Sequence, residues 1–127
     1  MQITTNTATV PALSTEIADL MDELTGFHPS LDRLIAAFGD VLTADLTADQ
    51  SQSAVAVLGG LNEGSVATLL GLTVRRIADP DANPALADLP TDRKQALRRL
   101  GAEYSAEISN RYLTQTASNA CAAIEGV

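Results

Sequence analysis

Apolar residues recur through most of this chain at the spacing of an α-helix. The clearest example is a stripe at positions i, i+3, i+4 and i+7, formed by Ile17, Leu20, Met21 and Leu24. Such spacing places side chains on one face of a helix, whereas a strand would need alternation of apolar and polar residues. No alternating run of β-branched residues occurs outside the N-terminal segment. The pattern predicts an all-α fold.

The side chains available for a core are small. Hydrophobic residues make up 46% of the 127 residues, but aromatic residues only 3%, and Trp is absent. Leu, Ile, Val and Ala must therefore supply most of the packing, and small side chains let helices approach closely. The length suits one domain. We predict a single-domain bundle of four to five helices over residues 13–127, with a long C-terminal helix, preceded by a flexible tail at 1–12.

Capping residues and helix breakers predict where the first helices begin and end. Ser14 is a favourable N-cap for a first helix over 15–25, and Pro29 prevents its continuation. Ser30 is the predicted cap of a second helix that runs to about residue 46. A capping box from Thr47 to Gln50 starts a third helix, which the glycine pair 59–60 ends.

Similar signals predict the helix boundaries in the second half of the chain. Asn62 is the predicted start of a fourth helix, and Pro80 ends it. Its apolar stripe comprises Val66, Leu69, Leu70, Thr73, Val74 and Ile77. In the proline-rich connector over 79–91, Asn83 is suited to cap one short turn that ends at Leu89.

The C-terminal segment from Thr91 to about Ile124 changes its apolar face. Leu97, Leu100, Tyr104 and Ile108 share one face, and Leu113, Ala117, Ala120, Cys121 and Ile124 share another. Ser109 and Asn110, two poor helix formers, lie at the change. Either the helix breaks there, or it continues and serves two partners. We favour the continuous helix, since neither Pro nor Gly marks a break.

The charge of −8 is concentrated in the first half. Residues 1–72 carry nine acids and one base, Arg33, while residues 73–127 carry seven of each sign. An acidic surface disfavours binding to nucleic acid or to anionic lipid, and it can attract a basic protein partner. No apolar run is long enough for a membrane span, and the N-terminus lacks the pattern of a signal peptide. The expected location is cytoplasmic.

The titratable residues do not form a catalytic or metal-binding pattern. Cys121 is the only cysteine and His28 the only histidine, which is too few for a usual zinc site. His28 lies in a turn between helices, where capping roles are common. We therefore expect no catalytic residue, no metal and no cofactor, and we predict a protein without enzymatic activity.

Residues 66–77 resemble a helix-turn-helix core, with Ala67, Gly71, Leu72 and Ile77 at the positions that family favours. The resemblance implies that Thr73, Arg75 and Arg76 face the major groove of DNA. Pro80 departs from the pattern, because the recognition helix needs another apolar residue there. The alternative is one uninterrupted amphipathic helix, in which Leu72 would lie outside the apolar stripe.

Two groups of residues are candidates for binding a protein partner. The first is a basic cluster that comprises Arg93, Lys94, Arg98 and Arg99. It can pair with the acidic first half of the same or a neighbouring chain, which we favour, or form a solvated helix face. The second is a predicted contact centre of aromatic, arginine and leucine side chains, namely Tyr104, Arg111, Tyr112 and Leu113. Glu107 precedes Arg111 by four residues, which favours an ion pair within a helix.

The sequence is compatible with three functions. The preferred one is a scaffolding or interaction protein that self-associates through its C-terminal helix as a homo-oligomer. The alternatives are a small helix-turn-helix regulator that binds DNA and an acidic decoy that occupies a basic, nucleic-acid-binding protein.

Overall fold

The computed structural model describes residues 10–60 and 64–125, with the side chains of Arg111 and Tyr112 excepted. The described residues contain helices and turns and no strand, which confirms the all-α class. Six α-helices are present among them: α1 (Thr15–Leu24), α2 (Pro29–Thr43), α3 (Ala48–Val55), α4 (Val66–Ile77), α5 (Thr91–Ile108) and α6 (Arg111–Ile124). A π-helical turn, Ala56–Gly60, follows α3, and a 3-10 turn, Pro84–Leu86, precedes α5. None of these helices is both long enough and apolar enough to cross a membrane.

Contacts divide the chain into two compact units, residues 1–46 and 47–127. The prediction of a single domain over 13–127 stays a prediction. The predicted tail over 1–12 lies mostly outside the described residues, and the part from Val10 to Ala12 has no helical structure.

The first unit contains α1 and α2. Ser14 caps α1 by accepting a 3.3 Å hydrogen bond from the backbone N–H of Ile17, as predicted. Gly26 turns the chain with a φ of 104°, a value that glycine adopts without strain. Its N–H donates to Oδ1 of Asp32 at 2.8 Å, which ties the turn to the first turn of α2.

The predicted start of α2 was wrong by two residues. His28, not Ser30, is the N-cap, and its Nδ1 accepts a 3.0 Å hydrogen bond from the N–H of Ser30. Pro29 therefore lies at the first helical position. Its fixed φ suits a helix there, and its lack of an N–H costs no hydrogen bond, because an N–H at that position has no partner within the helix. The helix also ends earlier than predicted, at Thr43, because Ala44 is extended.

The second unit contains two helix pairs. In one, α3 and the π-helical turn pack on α6; in the other, α4 packs on α5. The capping box at Thr47 and Gln50 is present, with hydrogen bonds of 3.1 and 3.0 Å in the two directions. In the connector, Asn83 caps the 3-10 turn through Ala85 N–H, as predicted.

Two of the open alternatives are settled by these helices. The segment from Thr91 is two helices that break at Ser109 and Asn110, so the favoured continuous helix was wrong. The low helical propensity of Ser and Asn outweighs the absence of Pro and Gly. Conversely, α4 is one uninterrupted helix from Val66 to Ile77, so no turn is present at Gly71.

The start of α4 also differs from the prediction. Ser65 is its N-cap and accepts a 3.2 Å hydrogen bond from the N–H of Thr68. The predicted start, Asn62, lies outside the described residues.

Candidate interaction surface

The contact between α4 and α5 is made by small residues. A Cβ atom added at Gly71 would lie 3.1 Å from Cα of Ser105 and 2.5 Å from a methyl of Ile108. A Cβ added at Gly101 would lie 3.3 Å from Cα of Arg75. Gly71, Gly101 and Ser105 are all buried. The two backbones therefore approach closely at Gly71 and Gly101, in the manner of helices joined by small residues four positions apart, and the Ile108 side chain packs directly on Gly71.

The same contacts fix the direction of the pair. Gly71 lies opposite Ser105, and Arg75, four residues later, lies opposite Gly101, four residues earlier. The helices are thus antiparallel and form a hairpin. The connector reinforces it, because Arg98 makes two hydrogen bonds to the carboxylate of Asp81, at 3.1 and 3.0 Å.

This packing leaves part of each predicted apolar face exposed, although Leu97 and Ile108 of α5 are half-buried. Successive residues are about 100° apart around a helix axis. On α4, Leu70 and Ile77 therefore lie roughly 100 to 120° around the axis from Gly71. On α5, Leu100 lies about 100° from Gly101, with the same direction of rotation. Because the helices are antiparallel, equal rotations from their contact line point to the same side of the hairpin. Tyr104 lies on that side as well.

We call Leu70, Ile77, Leu100 and Tyr104 the hairpin patch. Their exposed fractions are 39%, 60%, 51% and 41%, respectively. Val74 is half-buried beside them on the inner edge of α4. Leu69 and Leu72 of α4 are also exposed, at 62% and 49%, but they lie on other faces of that helix. The hairpin patch is the side to which both helices contribute large apolar side chains, and such surfaces are common at interfaces.

The rest of the second unit buries little apolar surface. Among the described residues, Cys121 is the one hydrophobic side chain classed as buried, at 7% exposure. It lies on α6 against α3, where the Gln52 side chain donates a 3.0 Å hydrogen bond to its carbonyl oxygen. Leu113, at the start of α6, is exposed.

The predicted basic cluster is divided by the structure. Arg98 is engaged by Asp81 of its own unit, and Arg99 forms a 3.7 Å ion pair with Glu103 one turn further along α5. The hydrogen bonds and charge of Arg98 lower the pKa of the Asp81 carboxyl. Neither Arg93 nor Lys94 has an ion pair within the described residues. Their predicted role in binding a partner stays a prediction.

The predicted contact centre is partly outside the described residues, because the side chains of Arg111 and Tyr112 are not described. Tyr104 and Leu113 belong to different helices and are both exposed. The helix break between Glu107 and Arg111 also removes the continuous helix on which their predicted pairing rested.

The residues predicted to read DNA do not stand on a recognition helix. Thr73 donates its hydroxyl to the carbonyl of Leu69 at 2.7 Å, within α4. Arg75 is the residue whose backbone meets Gly101, although its side chain is largely exposed, and Arg76 is exposed. Gly71 is explained by helix packing and not by a turn.

The described residues include no cluster of three or more His, Cys, Asp or Glu side chains placed to hold a metal ion. A small cleft of about 120 Å³ is lined by Arg75, Asp79 and Arg98. This cleft is smaller than the few hundred Å³ that ligand pockets usually occupy. A larger depression of about 400 Å³ lies on α3 beside Asp49, Ser53 and Val57, but it is wide open to solvent and does not enclose a ligand. The hairpin patch is therefore the candidate functional surface. Comparison with protein-family models, curated protein sequences and solved structures finds no match for this chain.

Proposed function

We propose that this chain is a non-enzymatic interaction protein that self-associates through the helical hairpin of α4 and α5. The observation that carries the proposal is the hairpin patch, in which four large apolar side chains remain 39 to 60% exposed on one side of the hairpin. Covering such side chains yields roughly 25 cal/mol for each Å² removed from water. A second copy offers the same patch and can cover it by two-fold symmetry.

The packing of the hairpin supports this role. The seam of Gly71, Gly101 and Ser105 brings the two backbones together, with Ile108 packed on Gly71, and the four residues of the hairpin patch take no part in these closest contacts. Those residues stand beside the seam, where a facing hairpin completes a four-helix arrangement. Self-association through the C-terminal part of the chain was predicted from sequence, and the support now comes from α5 in place of one overlong helix.

The test is the oligomeric state of the full chain by sedimentation and light scattering over a wide concentration range. We expect a wild-type dimer, and Leu100→Asp should shift it to monomer, because a charge cannot be buried in an apolar contact at low cost. Leu20→Asp on α1 is the matched control, because Leu20 is 52% exposed and Leu100 is 51% exposed; it should remain dimeric. A wild type that stays monomeric at the highest concentration contradicts the proposal.

The acidic decoy keeps one supporting feature, since the first unit, residues 1–46, carries seven acids and one base. No contact among the described residues bears on it. The regulator alternative has lost the turn on which its resemblance depended, and no described feature favours it.

A further inference from the structure

The line of residues along the exposed side of α5 is self-complementary. Arg93 precedes Leu100 by seven residues, and Glu107 follows it by seven. Seven residues fall only about 20° short of two full helical turns, so the three side chains share one line along the helix. Both charged side chains are exposed, and neither has an ion pair within the described residues.

A second pair of residues is arranged in the same way. The small Ala96 lies four residues before Leu100, and the large Tyr104 lies four residues after it. A half-turn about an axis that passes through Leu100 perpendicular to α5 reverses the direction of the helix. It exchanges the positions of Arg93 and Glu107, a cation and an anion, and those of Ala96 and Tyr104, a small and a large side chain. An isologous interface requires this pattern. In such an interface, residue i of one copy contacts residue j of the other, and residue j of the first copy contacts residue i of the second.

We infer that the dimer is formed by antiparallel packing of α5 against α5 of a second copy, with the two-fold axis at Leu100. The inference rests on the proposed self-association and specifies its geometry. In this dimer, Arg93 of each copy pairs with Glu107 of the other, and Tyr104 of each fills the space above Ala96 of the other. Leu70 and Ile77 of both copies flank the central contact.

The alternative orientation is disfavoured by the same charges. In a parallel pairing, Arg93 would face Arg93 at one end and Glu107 would face Glu107 at the other. Like charges across an interface are repulsive and select against that arrangement. The charges therefore specify direction, while the apolar side chains supply the affinity.

The experiment uses two charge-reversal variants, Arg93→Glu and Glu107→Arg. Each places two like-charge contacts in its own homodimer. Neither weakens α5, because an acid near the N-terminus and a base near the C-terminus both suit the helix dipole. We expect each homodimer to dissociate with a Kd about tenfold higher than that of the wild type at low salt, since each dimer replaces two attractive pairs with two repulsive ones.

Mixing the two variants gives the decisive measurement. In the mixed dimer, the copy with Arg93→Glu presents an acid at both positions, and the copy with Glu107→Arg presents a base at both. Each acid therefore faces a base of the other copy, so both ion pairs return and the Kd should recover to near the wild-type value. The chain that carries both substitutions should recover as well. Gln95→Glu is the matched control, because Gln95 is exposed and lies about 140° around α5 from Leu100; it should leave the Kd unchanged.

The outcomes separate the geometry from the self-association. A wild-type dimer whose Kd is insensitive to both reversals, or whose variants fail to recover on mixing, overturns the antiparallel α5 contact and leaves self-association standing through another face. A wild type that is monomeric throughout overturns both. Recovery of the mixed dimer at low salt, with the charge effects lost near 1 M salt where the Debye length is about 3 Å, supports the inference.

Discussion

Gln52 and Cys121 are joined by reciprocal hydrogen bonds between α3 and α6. The Gln52 side-chain amide donates to the carbonyl oxygen of Cys121 at 3.0 Å, and the Cys121 thiol donates to the carbonyl oxygen of Gln52 at 3.5 Å. The two residues are 69 positions apart in the chain. This contact therefore holds the last described helix against the start of the second unit.

We predict that Gln52→Ala destabilises the second unit by about 1 kcal/mol, because it removes a hydrogen bond of ordinary strength to a partly buried carbonyl. The measurement is the free energy of unfolding from denaturant titration. Gln115→Ala on α6 is the control, since its 3.0 Å hydrogen bond to Asn119 is exposed and lies within one helix. Equal losses from the two substitutions would contradict a special role for the Gln52 contact.

The reactivity of Cys121 should report the same contact. Because the thiol is buried, we expect a thiol reagent to modify it slowly in the native protein and rapidly in denaturant. In Gln52→Ala the native rate should rise, since opening of α6 from α3 becomes less costly. A fast native rate in the wild type would show that α6 does not cover Cys121 in solution.

Gly71→Ala should destabilise the hairpin by up to about 2 kcal/mol, because forcing an extra carbon into a packed contact costs about 1 to 3 kcal/mol and helix propensity returns about 1 kcal/mol. The new Cβ would lie 2.5 Å from a methyl of Ile108, which would have to shift, and 3.1 Å from Cα of Ser105, which cannot rotate away as a side chain can. Thermal unfolding followed by circular dichroism gives the measurement.

Gly64→Ala is the matched control for that substitution, because nothing lies within 4 Å of a Cβ added at Gly64. It should leave the unfolding temperature nearly unchanged. If Gly71→Ala raised stability instead, the close approach of α4 and α5 would be incorrect.

The capping role of His28 predicts that His28→Ala costs about 1 kcal/mol of local stability at the start of α2, whereas His28→Asn retains most of it. An asparagine side chain can accept the same hydrogen bond from the Ser30 N–H. Amide exchange at Ser30, measured by NMR, should be faster in the alanine variant. Equal exchange in all three proteins would exclude the cap.

The Asp81–Arg98 pair predicts a pH effect of known sign. The hydrogen bonds from Arg98, and then its charge, lower the pKa of Asp81 below its ordinary value of 3.8. A carboxyl with a lowered pKa stabilises the folded state above its unfolded pKa, and this contribution disappears as the pH falls through the lower, folded value. Carboxyl NMR titration should show the lowered pKa, and Arg98→Gln should raise it.

Arg99→Gln is the control for this titration, because Arg99 pairs with Glu103 and does not touch Asp81. A pKa of Asp81 that is unchanged in Arg98→Gln would mean that the pair does not form in solution. Both side chains are exposed, so its contribution should also weaken with salt.

The helix boundaries that sequence predicted correctly depend on local chemistry. Ser14, the Thr47–Gln50 capping box and Asn83 each satisfy N–H groups within a few residues of themselves, so their roles can be recognised in a short stretch of chain. The cap of α2 was assigned to Ser30 and not to His28 because serine is a preferred N-cap residue, although Pro29 after His28 signals a first helical position.

The face by which α4 meets α5 could not be read from the apolar pattern. The stripe containing Leu70 and Ile77 has the periodicity of a buried face, yet the structure buries Gly71 instead. Which side of a helix is covered depends on its partner, and here Gly101 and Ser105 allow the closest approach. Their spacing of four residues was the signal available in the sequence. The orientation of the hairpin patch required the antiparallel register as well.

The seam of Gly71, Gly101 and Ser105 separates two properties, the internal packing of the fold and the contacts of the surface. Most helical proteins use the same large side chains for both. In a conventional bundle, a change in the large apolar residues alters both the internal fold and whatever the surface contacts. Here Leu70, Ile77, Leu100 and Tyr104 stand outside the seam, so substitutions among them should leave the hairpin intact. The choice of partner can therefore change by mutation at the patch while the hairpin that presents it is preserved.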